Sequence, residues 1–424
     1  MSKWSIDLTP LRTSRDFRYL FVSGFVTYLG SMITYVAIPF EIADLTGSFF
    51  AVGAVGLVQL VPLIVFGLYG GALADTLDRR RIVLITEVVA MVLVGLLCVN
   101  SLLPEPHLWV IYVVAFVLAG NQGLQRPSMN AIIPRVVTHE ELPAAGALRM
   151  VQYTMGSIIG PAIGGLLVAF GGAALAYGVD VVSYGLSAIF LFRLRSLAPI
   201  LESVEKASIG HILEGVKYAY GRRDLLGTYI IDLIAMIFAF PVAMFPFVAE
   251  QFDAPWSLGL LYAATAVGAL IMTLTSGWTS HVDRHGRMVV ISAALWGLCI
   301  ALIGFAPGIW WVLILLVLAG AADMVSGLFR TLIWNQTIPD GVRGRMAGIE
   351  MLSYSVGPLL GQVRSSTVAS VTSLRFSFAS GGLLCVAGVL IAAVLTPTLW
   401  KYNVKTDPHA RREREVRGRA QDAS

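Results

Sequence analysis

Charge is scarce in this chain. Only 13% of its 424 residues are Asp, Glu, Lys or Arg, against roughly 25% in an ordinary soluble domain. With 57% hydrophobic residues and a mean hydropathy of +0.77, no large solvated catalytic domain fits. Lysine is scarcer still: it stands at Lys3, Lys206, Lys217, Lys401 and Lys405. None of these follows a glycine, so the Gly-Lys step of a phosphate-binding loop is missing. Cysteine is limited to Cys98, Cys299 and Cys385, far apart and inside apolar runs, which excludes a disulfide framework or a paired-cysteine metal site. Histidine falls mostly in loops; His281 and His285 share a helical spacing but have no third ligand nearby, and no His-Glu-x-x-His run occurs. No metal, no cofactor and no enzymatic activity are therefore expected. A charged leader with a short apolar stretch and cleavage site is also lacking, so the first apolar run is read as its own insertion signal.

What the chain has instead is long apolar runs. Bounded by charges, Pro or Gly, they fall at 17–41, 49–74, 82–102, 108–133, 143–170 and 173–192, then at 225–248, 257–278, 288–305, 309–335, 346–368 and 376–399. A membrane-spanning helix needs about 20 apolar residues, so each run is long enough for one crossing. The reading is an all-α membrane protein of twelve transmembrane helices in two six-helix pseudo-repeats.

Alternate connections differ sharply in charge. Of 30 Lys and Arg, 25 fall on one side of the spans; Arg375 alone falls on the other, and Arg126, Arg149, Arg330 and Arg364 lie within spans. By the positive-inside rule both termini are expected in the cytoplasm, in a multi-pass protein of the inner (cytoplasmic) membrane. The net charge of +4 then reports topology in a lipid bilayer, not nucleic-acid binding. Five segments follow: a cytoplasmic N-terminus (1–16), an N-terminal six-helix bundle (17–193), a cytoplasmic linker (194–224), a C-terminal six-helix bundle (225–400) and a basic tail (401–424) expected to be solvated and disordered. Within the linker, Ile209, Ile212, Leu213, Val216 and Tyr220 recur at helical spacing, predicting an amphipathic helix.

The halves echo each other. Leu118-Ala119-Gly120 before Pro134 matches Leu318-Ala319-Gly320 before Pro339, and Gly160-Pro161 matches Gly357-Pro358. Such similarity is the footprint of parallel repeats that rock around a central site; coincidence between Gly-rich apolar stretches is the alternative.

Three motifs are more specific. Between spans two and three stands Gly71-Ala72-Leu73-Ala74-Asp75-Thr76-Leu77-Asp78-Arg79-Arg80-Arg81, which resembles motif A of the major facilitator superfamily, with Thr76 and Asp78 where the pattern has a basic residue and Gly. The loop after span eight carries a partial copy, Asp283-Arg284-His285-Gly286-Arg287. Span five holds Gly156, Gly160, Pro161, Gly164 and Gly165 in the pattern of motif C, which in that superfamily marks exporters; the glycines permit close helix packing and the proline a bend. The resemblance implies the major facilitator fold and a conformational latch in which Asp75 meets the region of Met346–Glu350. One departure stands out: before Gln122-Gly123, Ala119 replaces the family's motif B arginine. Leu102–Pro106, Ala145-Gly146-Ala147 and the stretch from Leu261 to Gly277 are similar to the branch that exports the catecholate siderophore enterobactin.

Ionisable groups inside spans are costly and mark pathways or pairs. Asp323 in span ten, Asp232 in span seven and Asp180 in span six are the proton-coupling candidates, with Asp323 alternatively paired to Arg330. Glu41, Glu87 and Glu350, near span ends, are read as solvated at the interface. Tyr28, Tyr35, Arg149, Phe238, Phe245, Arg330 and Trp334 are candidates to line the cavity, by cation–π and electrostatic attraction for an aromatic anion. The resulting expectation is a monomeric secondary exporter of a siderophore or similar small aromatic compound, with protons as coupling ion. A broad-specificity multidrug efflux pump is the alternative; a sensor or scaffold would need a soluble partner domain that these spans leave no room for.

Overall fold

The computed structural model describes residues 7–76, 78–195, 217–218 and 220–422, and only the backbone of 68–76, 340–354 and 416–422. Its regular elements are helical; no β-strand occurs among the described residues. The long helices are α1 (Arg15–Thr46), α2 (Phe49–Thr76), α3 (Arg79–Ser101) and α4 (Leu108–Val136). Next comes a 51-residue run, Leu142–Phe192, far longer than the roughly 20 residues that cross a bilayer. At its centre Gly172 takes φ 69° and ψ −175°, a conformation open essentially to glycine alone. This divides the run into α5 (142–171) and α6 (173–192), the two spans expected on either side of Gly171. The later helices are α7 (Arg223–Ala239), α8 (Leu258–Leu274), α9 (His285–Ile303), α10 (Ile309–Thr337), α11 (Asp340–Val371) and α12 (Leu374–Leu395). Helix α7 is interrupted at Phe240-Pro241 and resumes, through a 3-10 turn at Val242–Met244, as Phe245–Gln251; proline removes a backbone donor there.

The helices divide into two compact units, Met1–Ala207 with Ala249–Ala263, and Ser208–Val248 with Ala264–Ser424. In the first, the basic ends of α1, α3, α4, α5 and α6 close around Phe17, Leu20, Val83, Ile132, Leu148 and Leu191. Outward faces stay apolar, with Phe170 86% exposed; an uncovered surface of that kind suits lipid rather than water.

The internal repeat is visible in the packing of each unit. In the first, α4 meets α2 where Gly120 faces the Phe66 ring and Gly123 the backbone of Gly67. In the second, α10 meets α8 through Gly320 against Thr265 and Gly268 against Val317. Likewise α5 lies on α1 and α11 on α7, where Gly357 and Gly361 both face Met236. The matched Leu-Ala-Gly and Gly-Pro sequences therefore occupy matched helix crossings.

The tail is more ordered than expected. Asp407 caps a helix by accepting from the backbone N–H groups of His409 and Ala410, the usual service of an N-cap carboxylate, and α13 (Pro408–Asp422) follows. Arg411 and Arg414 donate back to the carbonyls of Lys405 and Val404. The predicted linker helix at 209–220 falls largely outside the described residues.

Candidate functional site

Within the first unit, motif A works at the basic ends of neighbouring helices. Asp78, the departure from the family's Gly, caps α3 by accepting from the Arg80 N–H at 2.9 Å. Arg79 donates to the Ala131 carbonyl on α4 at 3.0 Å. Arg80 donates to the carbonyls of Leu191 and Phe192 and lies over the Phe192 ring, placing a cation at the negative end of α6. Of Gly71, Asp75 and Met346–Glu350 only the backbone is described.

Motif C is a packing face. A side chain at Gly156 would strike the Tyr28 ring, one at Gly160 would meet Met32, and one at Gly164 would come within 3.0 Å of the Ile33 Cα. All three neighbours belong to α1. Gly165 meets the backbone of Gly259, whose own neighbours are the carbonyls of Pro161 and Ala162. That approach holds Ala249–Ala263 with the first unit.

Beside this face the structure gathers aromatic and cationic groups. Tyr28 and Tyr153 pack edge to face at 4.6 Å, Arg149 lies 5.8 Å from the Tyr153 ring centre, and Arg126 stands within electrostatic range of Tyr28. Among the described residues neither arginine has an ion-pair partner. Tyr35 packs edge to face on Tyr262 at 5.6 Å and remains 36% exposed. Of the expected cavity residues, Tyr35 is thus exposed and Tyr28 and Arg149 are half-buried.

Three buried carboxyl groups lie in the same unit. Asp180 is fully buried, accepting from Thr34 on α1 and from Ser183 at 2.8 Å, in a space that Gly30 leaves open. Glu87 is also fully buried: Thr27 donates to its oxygens at 3.0 Å and Gln125 at 2.9 Å. Glu41 is 4% exposed and accepts from the Tyr177 hydroxyl at 2.7 Å. The expectation that Glu41 and Glu87 are solvated is therefore corrected. Position along a span locates depth, whereas burial depends on the helix face, and both face α6 or α4. A readable signal existed in the hydroxyl spacing of Thr27, Ser31 and Thr34. Glu350 lies where side chains are not described.

In the second unit Arg330 pairs with Asp232 instead of Asp323, both partners being buried. Asp323 is half-buried on the same helix, within electrostatic range of both. Trp334 donates to Thr228 at 2.9 Å and stacks on Tyr229 at 5.0 Å. Phe245 is 1%, Arg330 2% and Trp334 5% exposed, so these three expected cavity residues are packed inside the unit. Their aromatic or cationic character was equally suited to satisfying buried partners. Phe238 is half-buried; its carbonyl, freed where α7 breaks, accepts from Arg364, which also donates to the Ser377 carbonyl and to Ser380. Arg364 thus repairs a broken helix, as membrane-embedded backbone requires.

The motif A copy receives the chain end. Asp283 pairs with Lys405 at 2.7 Å and accepts from the Val404 N–H at 3.0 Å. Gly286 packs directly on the Leu399 carbonyl, and Arg287 lies over Trp400; Arg284 precedes α9 as its N-cap residue. Nearby Arg222 forks onto Asp224 at 2.6 and 3.0 Å. Burial opposes its charge, but the Asp224 carboxylate outweighs that and holds the guanidinium pKa above its ordinary value.

Comparison with known proteins supplies the family. The profile described as transmembrane secretion effector matches residues 5–416. The enterobactin exporter EntS of Shigella boydii is 31% identical over 398 residues, covering 92% of this chain and 94% of the relative, and EntS of Escherichia coli matches to the same extent. Among solved structures, the nucleoside transporter NupG superposes with a TM-score of 0.70 at 14% identity, covering 92% of this chain and all of that one. A bacterial homologue of the iron transporter ferroportin gives 0.67 at 16%, covering 91% and 99%. At such identities these structures establish the fold alone. The chain is a multi-pass membrane transporter, not an enzyme, and it belongs to the major facilitator superfamily, in the transmembrane secretion effector family and the branch that contains the EntS exporters.

Proposed function

We propose that this chain is a proton-coupled secondary exporter that moves a catecholate siderophore of the enterobactin type, or a similar aromatic organic anion, out of the cell by alternating access. The observation that carries the reading is its full-length similarity to curated enterobactin exporters. The chemistry of the first unit supports it: Tyr28 and Tyr153 offer ring faces beside Arg149 and Arg126, and cations with aromatic planes suit a ligand that is both aromatic and anionic. The lopsided distribution of Lys and Arg supports insertion in the inner membrane with both termini cytoplasmic; the proposed working unit is the monomer.

The test is deletion of the gene in its own host under iron limitation. Siderophore should build up inside the cells and fall in the medium, with both restored by the wild-type gene and not by Arg149→Glu. Unchanged secretion in the deletion strain contradicts the proposal. A multidrug efflux pump is the second reading, favoured by one observation: Asp323 is half-buried with no ion pair of its own among the described residues, as a site for lipophilic cations would require. It predicts that Asp323→Asn lowers resistance to such cations.

A further inference from the structure

The three buried carboxyls of the first unit lie along one seam. On α1, Thr27, Ser31, Thr34 and Glu41 recur at intervals of four, three and seven residues, which keeps them on one helical face. On α6, Tyr177, Asp180, Ser183, Tyr184 and Ser187 do the same. The two faces are joined by hydrogen bonds at successive levels: Tyr177 to Glu41, Thr34 to Asp180, and Ser31 with Tyr184 at 2.9 Å. At the basic end Thr27 reaches Glu87 of α3, within interaction range of Ser187. From Thr27 to Glu41 the seam rises about 21 Å at 1.5 Å per residue, most of a hydrocarbon core roughly 30 Å thick.

Its composition is unusual. Among the described residues no Lys, Arg or His pairs with Glu41, Glu87 or Asp180. The titratable groups facing them are Tyr177 and Tyr184 from α6, Cys98 from α3 and Asp44 from α1, while α4 contributes only the neutral Gln125. Isolated carboxylates in such surroundings are expensive, so each needs a proton or a cation. Two buried oxygens beside the seam, Glu41 Oε1 and Ser187 Oγ, make no direct hydrogen bond, with Ser101 within interaction range of Glu41 and Ser187 within that of Glu87. Those oxygens, together with hydroxyls that both give and accept protons, fit a proton as the occupant.

We propose that the α1–α6 seam carries the coupling proton, with Glu41, Asp180 and Glu87 as its stations and Tyr177, Thr34, Ser31 and Tyr184 as relays. The inference rests on the proton-coupled reading above and assigns coupling to the first unit, whereas Asp232 serves an ion pair in the second. One proton adds to a Glu41 oxygen at the outer end. It moves inward between levels about one helical turn, near 5 Å, apart, through a bridging water at each gap, each hydroxyl or water releasing one proton as it receives another. One proton leaves from Glu87, so only O–H bonds are broken and made.

Purified protein in liposomes containing a pH dye, with enterobactin as the probe, supplies the first readout. Glu87→Gln and Asp180→Asn should each lower substrate-linked proton flux roughly a hundredfold while tryptophan quenching still reports enterobactin binding. Thr34→Val and Ser31→Ala, which keep every carboxyl, should slow the flux; Thr273→Ala, whose hydroxyl bonds only its own helix, should not. Infrared spectra of the wild type without any substrate supply the second. A buried protonated carboxyl band should change with pH and be lost in Glu87→Gln or Asp180→Asn. Undiminished flux in both carboxyl variants, or an infrared band indifferent to them, overturns the seam. Failure of wild-type protein to move enterobactin, with the band behaving as stated, overturns the substrate reading and leaves the seam standing.

Discussion

Replacing Gly165 by alanine isolates what motif C does. In an exposed helix interior the change stabilises by about 0.5–1 kcal/mol through lost unfolded-state freedom and better helix propensity. Gly146, on the same helix with nothing within 4 Å of an added Cβ, should show that gain. At Gly164 the new methyl comes within 3.0 Å of the Ile33 Cα and 3.2 Å of its carbonyl oxygen, so a small separation of α5 and α1 suffices and the two effects nearly cancel. At Gly165 the methyl meets the backbone of Gly259, which has no side chain to rotate away. Overpacking of that kind costs about 1–3 kcal/mol, and the helices must part or distort. Thermal unfolding of the purified variants in one detergent should therefore rank Gly146→Ala at or above wild type, Gly164→Ala close to it, and Gly165→Ala lowest. Equal midpoints for Gly165→Ala and Gly146→Ala would refute the argument that backbone contact, and not glycine content, is what this motif provides.

Other substitutions separate the remaining features. Asp232→Asn should destabilise by about 3–5 kcal/mol because it removes the carboxylate paired with the buried Arg330, while Asp232→Asn with Arg330→Met should recover much of that loss in the same unfolding assay. Arg364→Ala leaves the Phe238 carbonyl unpaired at the α7 break, costing about 1–3 kcal/mol, and faster hydrogen exchange at Phe240–Met244 would report it. Lys405→Ala removes only an exposed ion pair, worth about 0–1 kcal/mol, whereas truncation after Thr396 should open the 276–287 loop to protease by removing Leu399, Trp400 and Tyr402 together. Hydrogen bonds from Thr13 and Thr138 hold the Glu141 carboxyl below the usual carboxylate range. A lowered folded-state pKa means that this clip is present above the ordinary pKa and is lost as pH falls through the depressed one; the protection factor of the Thr138 amide, exchange corrected for its intrinsic pH dependence, should fall over that interval and stay constant in Glu141→Gln.

Much of the architecture was legible because lipid imposes length and charge rules that single residues cannot evade. Apolar runs located the spans, and even the junction at Gly172 fell between two predicted runs. The glycines of motif C pointed to close packing because only a missing side chain permits it. The fate of polar residues was harder to read. Arg330 and Trp334 looked like ligands for a substrate because nothing local reveals that Asp232 and Thr228, about a hundred residues earlier, satisfy them. Glu87 looked interfacial because α3 begins only eight residues before it, yet Thr27 and Gln125 enclose it from two other helices. In each case the deciding partner arrives through tertiary packing. The basic tail was read as disordered for the opposite reason: its composition is that of a solvated segment, and the Asp407 cap and the dock on Gly286 override it.

The most direct test of the central claim is transport itself. Wild-type protein in liposomes, loaded with enterobactin and given a proton gradient directed into the lumen, should release the siderophore, and a protonophore should abolish the release. Release at the same rate with the gradient collapsed, or none beyond protein-free liposomes, would contradict the account.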